Sequence, residues 1–349
     1  MTAETQSRTG TLAPVVAVAT SAYTLLTLAI LIWGGNFVVG RWANLDVPPV
    51  ALSFWRHVLA AALVLPFVIG ALRRDWPVVR SRLGAVAAMS LFFVAGNTFV
   101  YFSILHTSVV NAALINAGVP VAAAFFSWLI LRDLVNRWQM LGIGVSFVGI
   151  AVVVTRADLG LLLRLQFGWG DIFMLAAITC WALYMVLLKR AKLALSPWTV
   201  LLVLSAGGVI WLAPAYAAEI AGGQGMAWTW RAAASLLYVA LFSTIIGWAC
   251  WNAGTLRIGP NRASAFMCLH PVFGSALGMM FFDEAIRGFH IAGTVLVLIG
   301  VVLVSRAYAS RARSKLRSKL IQSRPAALTR QRAPQQYSSR LPRFTLAPV

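Results

Sequence analysis

The stretch Tyr101–Val154 reads YFSILHTSVVNAALINAGVPVAAAFFSWLILRDLVNRWQMLGIGVSFVGIAVVV, and Asn252–Val304 reads NAGTLRIGPNRASAFMCLHPVFGSALGMMFFDEAIRGFHIAGTVLVLIGVVLV. The two align without a gap at an offset of 151 residues. Ala112 falls on Ala263, Pro120 on Pro271, Val121 on Val272, Asp133 on Glu284, Gly142 on Gly293 and Gly149 on Gly300. A proline, an acidic position and two glycines in register mark an internal repeat, and a repeat fixes the architecture before any single residue does.

Both copies are apolar through most of their length, and so is the rest of the chain. The 349 residues are 60% hydrophobic and 11% charged, with a mean hydropathy of +0.82. A soluble domain carries roughly 25% charged residues. The composition therefore predicts an all-α integral membrane protein whose helices pack in lipid. Cys180, Cys250 and Cys268 all sit in apolar segments, without disulfide or metal-ligand spacing, and read as small packing residues.

Ten transmembrane helices are expected near 20–40, 49–72, 83–104, 108–131, 137–155, 171–190, 198–218, 232–253, 260–282 and 288–306. Each approaches the roughly 20 residues that a helix needs to cross hydrocarbon. The expected organisation is a cytoplasmic N-terminal segment (1–19), a first five-helix repeat (20–156), a second (171–306) and a basic, disordered cytoplasmic tail (307–349). The first apolar run is too long for a signal-peptide core and shows no cleavage site.

Charge orients the spans. The tail after Ser305 carries eleven Lys/Arg and no acid, which places it, and with an even span number the N-terminus too, in the cytoplasm. The loops then sort. Inner loops hold Arg73, Arg74, Arg80, Arg82, Arg132, Arg137, Lys189, Arg190, Lys192, Arg257 and Arg262; outer ones hold Arg41, Arg156, Arg164, Arg231 and Arg287. Five spans per copy is an odd number, so the two copies enter the membrane with opposite orientation. Inverted repeats are a recurring design of secondary transporters, because two similar halves can exchange inward-open and outward-open shapes around a central site.

The chain resembles the EamA-type branch of the drug/metabolite transporter superfamily. The resemblance spans about Tyr23 to Arg306. It rests on LIWGGNF at Leu31–Phe37, SFWRHVLAAAL at Ser53–Leu63, the Pro120-to-Asp133 block with Gly142 and Gly149, and the second copy of that block. It implies ten helices, a 5+5 inverted repeat and export of small metabolites from the cell (inner) membrane, without naming a substrate.

Arg56 is the one charge well inside a predicted span, with His57 beside it. An intramembrane charge is a functional candidate. Yet Arg56 lies about 9 Å along a helix from Val50, so snorkelling to the outer surface is the competing reading. His270 precedes Pro271, and Asn116 stands one turn before Pro120. Each proline removes a backbone donor and frees a carbonyl, which is tolerated at membrane depth where it lines a cavity or is covered by protein. In inverted helices these two places face each other across the pseudo-axis. The predicted substrate-binding set is Trp33, Asn36, Arg56, Tyr101, Asn116, Trp181, Tyr184, Trp251, Asn252 and His270, with Pro120 and Pro271 as helix-break or gating positions. The aromatics have a competing role in interfacial belts or plain packing, and the asparagines in helix-to-helix hydrogen bonds. Asp133 and Glu284 fall at span ends, where an acid stabilises a helix N-terminus. Gly34, Gly35, Gly142 and Gly149 are expected to let helices approach closely.

No P-loop, HExxH or GxSxG pattern appears, so neither an ATP-driven pump nor a common hydrolase is supported, and no cofactor, metal or catalytic residue is expected. Phosphorylated substrates such as nucleotide sugars demand Lys or Arg in the cavity, and only Arg56 is available, which counts against them. The expected function is secondary export of small organic metabolites, such as amino acids or amphipathic drugs, by alternating access. The alternative is a non-transporting membrane protein, either an intramembrane enzyme or an assembly scaffold. The basic tail is expected to meet anionic lipid, not nucleic acid, and the protein to be a monomer or homodimer. Every Asp and Glu falls in a loop or at a span end, with Asp171 capping the sixth helix. That leaves His270 as the intramembrane proton carrier, a poor one among apolar helices, so a facilitator is expected.

Overall fold

A computed structural model describes residues 21–132, 137–158, 168–259, 263, 266–267 and 269–303. The expectations for the N-terminal segment, the basic tail, Asp133 and Cys268 lie outside the described residues. Among those residues the regular structure is entirely helical. The helices are α1 (Ala22–Ala43), α2 (Pro49–Ser81), α3 (Leu83–His106), α4 (Val109–Leu131), α5 (Arg137–Val154), α6 (Trp169–Ala191), α7 (Pro197–Ala221), α8 (Trp230–Ile258), α9 (Leu269–Phe282) and α10 (Gly288–Leu303). Seven of these, α1–α4 and α6–α8, are long and apolar enough to cross a membrane; α9, α10 and the apolar part of α5 are shorter.

Local sequence explains where they begin. Ser21, Ser108, Ser196 and Thr229 each accept a backbone N–H three residues on, at 3.0–3.1 Å. These side chains satisfy donors that a helix start leaves open. Pro49 and Pro197 occupy first helical positions, where a missing N–H costs nothing. One expected boundary is wrong. Arg73, Arg74 and Arg80 stand on α2, which runs on to Ser81, and only Arg82 separates it from α3. A charge cluster needs no loop when a helix continues past the hydrocarbon.

The two prolines of the repeat also do something simpler than expected. α4 breaks at Ala117–Gly118 and restarts at Val119, which puts Pro120 in the first turn of its second half. Pro271 is the third residue of α9. Both therefore stand in the first turn of a helical segment, which at Pro120 follows the break in α4.

Three pairs of helices equivalent by the repeat, α2 with α7, α4 with α9 and α5 with α10, meet each other. In α5 and α10, Ser146 donates to the Val297 carbonyl at 3.2 Å, and these two positions are separated by 151 residues, the repeat offset itself. On either side the glycines exchange partners. A Cβ on Gly149 would stand 2.8 Å from the Gly293 carbonyl, and one on Gly300 would collide with the Gly142 carbonyl. A two-fold relation centred near Ser146 and Val297 produces this crossed pattern. α2 and α7 repeat the motif with charges. Asp75, near the end of α2, accepts from the Thr199 hydroxyl (2.7 Å) and the Ser196 N–H (3.4 Å) at the start of α7. Glu219, near the end of α7, accepts from the Val50 and Ala51 N–H groups (3.2 and 2.8 Å) at the start of α2. α1 packs on α8 and α9, and α6 packs on α3 and α4, so each half's first helix lies against the third and fourth of the other.

The bundle's two ends are tied differently. At the α1–α2 end, Glu284 accepts from the Val109 and Val110 N–H groups (2.9 and 2.8 Å) and from Arg41. Glu284 thus stabilises a helix N-terminus, but that of α4 across the repeat boundary, not that of the helix following it. Asp171 accepts from Thr107 (3.0 Å) and Asn111, so it fastens α6 to the α3–α4 corner. The expected cap on its own helix is not made, and this carboxylate is buried inside the first turn, not at a solvent edge. Asp46 accepts from Thr229 (2.7 Å) and pairs with Arg231 (3.6 Å). With Glu219, four carboxylates join residues 20–155 to residues 168–306 at this end. Described inter-half polar ties toward the α2–α3 end include Asp75 on α7, Lys189 to Ser127 (3.4 Å) and the Trp211 indole N–H to the Ala87 carbonyl near the start of α3 (3.0 Å), with one carboxylate among them.

Candidate functional site: a cavity between the halves

A cavity of about 410 Å³ lies between the two halves, within the size range of small-molecule sites. It is lined from α1, α2, α3 and α4 on one side and from α6, α7, α8 and α9 on the other. Its wall includes Leu188, Leu193, Leu195 and Pro197, around the α6–α7 connection at the α2–α3 end. None of its described lining residues comes from a connection at the α1–α2 end.

Nine of the ten predicted residues line it: Trp33, Asn36, Arg56, Asn116, Trp181, Tyr184, Trp251, Asn252 and His270. Tyr101 does not. It is fully buried one layer behind, and its hydroxyl accepts from Arg56 at 2.8 Å. Pro120 and Pro271 are not in the wall either; Pro120 stands in the first turn of the second half of α4, after the half that ends at Asn116, and Pro271 follows His270 in the first turn of α9.

Arg56 is the single Asp, Glu, Lys or Arg among the described lining residues and is 4% exposed. The snorkelling reading is thereby removed. Its guanidinium donates to Thr244 (2.6 Å, from Nε), Tyr101 (2.8 Å) and Asn36 (3.5 Å, both from Nη1), and Ser243 (3.2 Å, from Nη2). Ser243 and Thr244 belong to a π-helical stretch of α8, Tyr238–Ile246. The wider turn is also tied to α1, where Trp33 donates from its indole N–H to the Ser243 carbonyl at 3.1 Å. π-Bulges recur at functional sites because the extra residue redirects side chains and backbone. His57, beside Arg56, packs on Phe93 and leaves the wall to its neighbour.

Asn116 Nδ2, on α4, stands 3.5 Å from His270 Nδ1, on α9, so these two repeat-related helices do face each other there. The His270 ring meets Phe37 edge-on at 5.1 Å. Aromatic rings complete the wall. Trp33 and Trp251 lie 5.4 Å apart, and Phe93 contacts Trp181 (5.3 Å), Tyr184 (5.4 Å) and Trp248 (6.2 Å). Asn97 and Asn252 each spend their amide N–H on a carbonyl one turn back, at 2.9 and 2.8 Å.

The reasoning from sequence missed Ser243, Thr244 and Phe93. The adjacent hydroxyls at Ser243 and Thr244, inside an otherwise apolar run, were the available signal. Nothing in periodicity distinguishes a π turn from an α one. Phe93 carries no polar atom, so it reads as core.

The EamA-like transporter family model matches residues 20–155 and again 168–306. The chain is 28% identical to the uncharacterized transporter YyaM of Bacillus subtilis, covering 78% of this chain and 89% of that one. It is 25% and 24% identical to proteins named "Probable amino-acid metabolite efflux pump" in Salmonella typhimurium and Escherichia coli, in each case over 80% of this chain and 93% of theirs. A solved crystal structure shares the fold with a TM-score of 0.52 at 16% identity, covering 81% of this chain and 95% of that one. With the family model matched twice and nearly end to end through the helices, this multi-pass membrane protein belongs to the EamA-like transporter family.

Proposed function

We propose that the protein is a secondary exporter of small organic metabolites, such as amino acids or amphipathic compounds, working by alternating access in the cell's inner membrane. Ten spans form two inverted halves, and both termini are cytoplasmic. The observation that carries this reading is the cavity itself. It lies between the helices of the two repeat copies, and both copies line it. A scaffold would fill that space with side chains. The four carboxylate ties at the α1–α2 end, and the reach of the cavity toward the α6–α7 connection, describe a state closed at one end. The basic α2–α3 end, with Arg73, Arg74, Lys189, Arg190 and Lys192, is the cytoplasmic one by the positive-inside rule. The state is then inward-facing. The names of the two efflux-pump relatives support amino-acid-sized cargo.

The test is counterflow in proteoliposomes holding the purified full-length protein, against a panel of labelled amino acids, organic acids and amphipathic drugs. Exchange above protein-free vesicles is expected for at least one class. No exchange of any compound by correctly folded protein rejects the transporter reading and favours a non-transporting role.

A further inference from the structure

Resting on the transporter reading of this cavity, we infer that its ligand carries one carboxylate, held by Arg56, with a largely apolar or aromatic body. Cationic amphiphiles are excluded.

The first ground is unbalanced charge. Arg56 is buried, and its four described hydrogen-bond partners are three hydroxyls and an amide, all neutral. The described ion pairs use Arg41, Arg74 and Arg231 instead. Neutral oxygens orient a guanidinium without cancelling its charge. An ion taken out of water and left without a counter-ion is costly, and a mobile carboxylate can supply the missing partner.

The second ground is preorganisation. The partners' own protons are already committed: Thr244 donates to the Val239 carbonyl (2.7 Å) and Tyr101 to the Asn36 amide oxygen (3.2 Å). Both hydroxyls therefore present lone pairs to Arg56 and hold its plane still. Of the five guanidinium N–H groups, four are engaged by these contacts. One on Nη2 has no described partner, and the 3.5 Å contact to Asn36 is the loosest. A carboxylate can take a free N–H and a weakly held one together, in the two-pronged geometry that suits an arginine.

The third ground is the rest of the wall. Among the described residues, no acidic side chain lines it to receive a lone cation, and no second Lys or Arg lines it to hold a dianionic phosphate. What remains is largely aromatic and aliphatic: Trp33, Trp251, Phe93, Trp181, Tyr184 and Leu188. That surface suits an apolar body.

Three probes with the same body separate the head groups: 3-phenylpropionate, 3-phenylpropanamide and 3-phenylpropylamine. Their binding to the purified full-length protein near neutral pH is read by quenching of tryptophan fluorescence. The carboxylate is expected to bind about tenfold or more tightly than either of the others, the difference a charge-assisted pair makes. Arg56→Met should abolish that preference, and Arg56→Lys should keep its sign but shrink it. If Arg56→Met does not fold, the ranking in the wild-type protein still decides, and Tyr101→Phe should reduce the preference. Equal or tighter binding of the amide or amine, or binding of none of the three, overturns the inference. Counterflow of the bound probe keeps the two readings apart. A carboxylate that binds but is never exchanged sinks the transporter reading and leaves the Arg56 site. An amine that is bound and exchanged sinks the Arg56 site and leaves the transporter.

Discussion

Asn116 and His270 come to within 3.5 Å of each other because Asn116 ends the first half of α4, just before the break that precedes Pro120, and His270 stands in the first turn of α9 beside Pro271. Both line the cavity, so truncating either enlarges a space that is already open. Asn116→Ala and His270→Ala are therefore expected to insert in the membrane as wild type does and to impair counterflow. The double variant should lose less than the sum of the two, with a coupling of about 0.5–3 kcal/mol, as residues in contact do. Additive losses would mean that the pair does not act together. Both residues were legible in the sequence, since an amide and an imidazole beside register-matched prolines are unusual in lipid. Tyr101 shows where such reading stops. Helical spacing gave its direction, toward the cavity, but not its depth. It stands behind Arg56, and whether a side chain fronts a cavity or backs another side chain depends on the neighbouring helix.

At the scale of elements, α5 and α10 test the two-fold relation most directly. Their crossing is close only because glycines meet backbone carbonyls. A Cβ on Gly300 would collide with the Ser146 hydroxyl and the Gly142 carbonyl, while one on Gly144, in α5 as well, meets nothing within 4 Å. Gly300→Ala should destabilise the protein by about 1–3 kcal/mol, the usual cost of overpacking. Gly144→Ala should be neutral or gain up to about 1 kcal/mol from helix propensity. Thermal unfolding in detergent reads both, and equal melting shifts would show that the crossing is not tight. This crossing was visible in the sequence as glycines in register, because a repeat carries its own partner list. The extension of α2 through Arg80 and the π turn of α8 were not visible. Charges mark the edge of hydrocarbon, not the end of a helix, and a π turn needs one extra residue whose insertion leaves the apolar run unbroken. The carboxylates were located at element ends, but their targets were not. Glu284, Glu219 and Asp171 each bind residues of the other half, a choice made by tertiary packing.

The whole molecule has one end fastened by four carboxylates and a cavity that reaches toward the other, and this asymmetry bears on motion and on energy coupling. Glu219→Gln keeps the shape and removes the charge that faces two α2 N–H groups. The closed end should then open more often. In a variant lacking the native cysteines, Asn36→Cys is expected to react several-fold faster with a membrane-impermeant maleimide added from the α1–α2 side when Glu219→Gln is present; an unchanged rate argues against a latch there. The same carboxylates bear on coupling. A proton-driven exporter of the simplest kind lets one carboxylate alternate between proton and substrate. Here Asp75, Asp171, Glu219 and Glu284 are each held by partners at the bundle ends, and none lines the cavity. The one imidazole in the wall, His270, shares the cavity with Arg56, so protonating it places a second positive charge in a space already bearing one. A facilitator is the expected result: substrate moves down its own gradient, and a proton gradient adds nothing. Proteoliposomes are loaded with substrate at equal concentration on both sides, a pH gradient is imposed, and the passive redistribution of a weak acid is removed by subtracting protein-free vesicles. No net accumulation should remain. Sustained accumulation would reject the facilitator, and its loss in His270→Ala with downhill exchange intact would assign the proton to the histidine, leaving Arg56 to hold the substrate while its neighbour across the axis carries the driving ion.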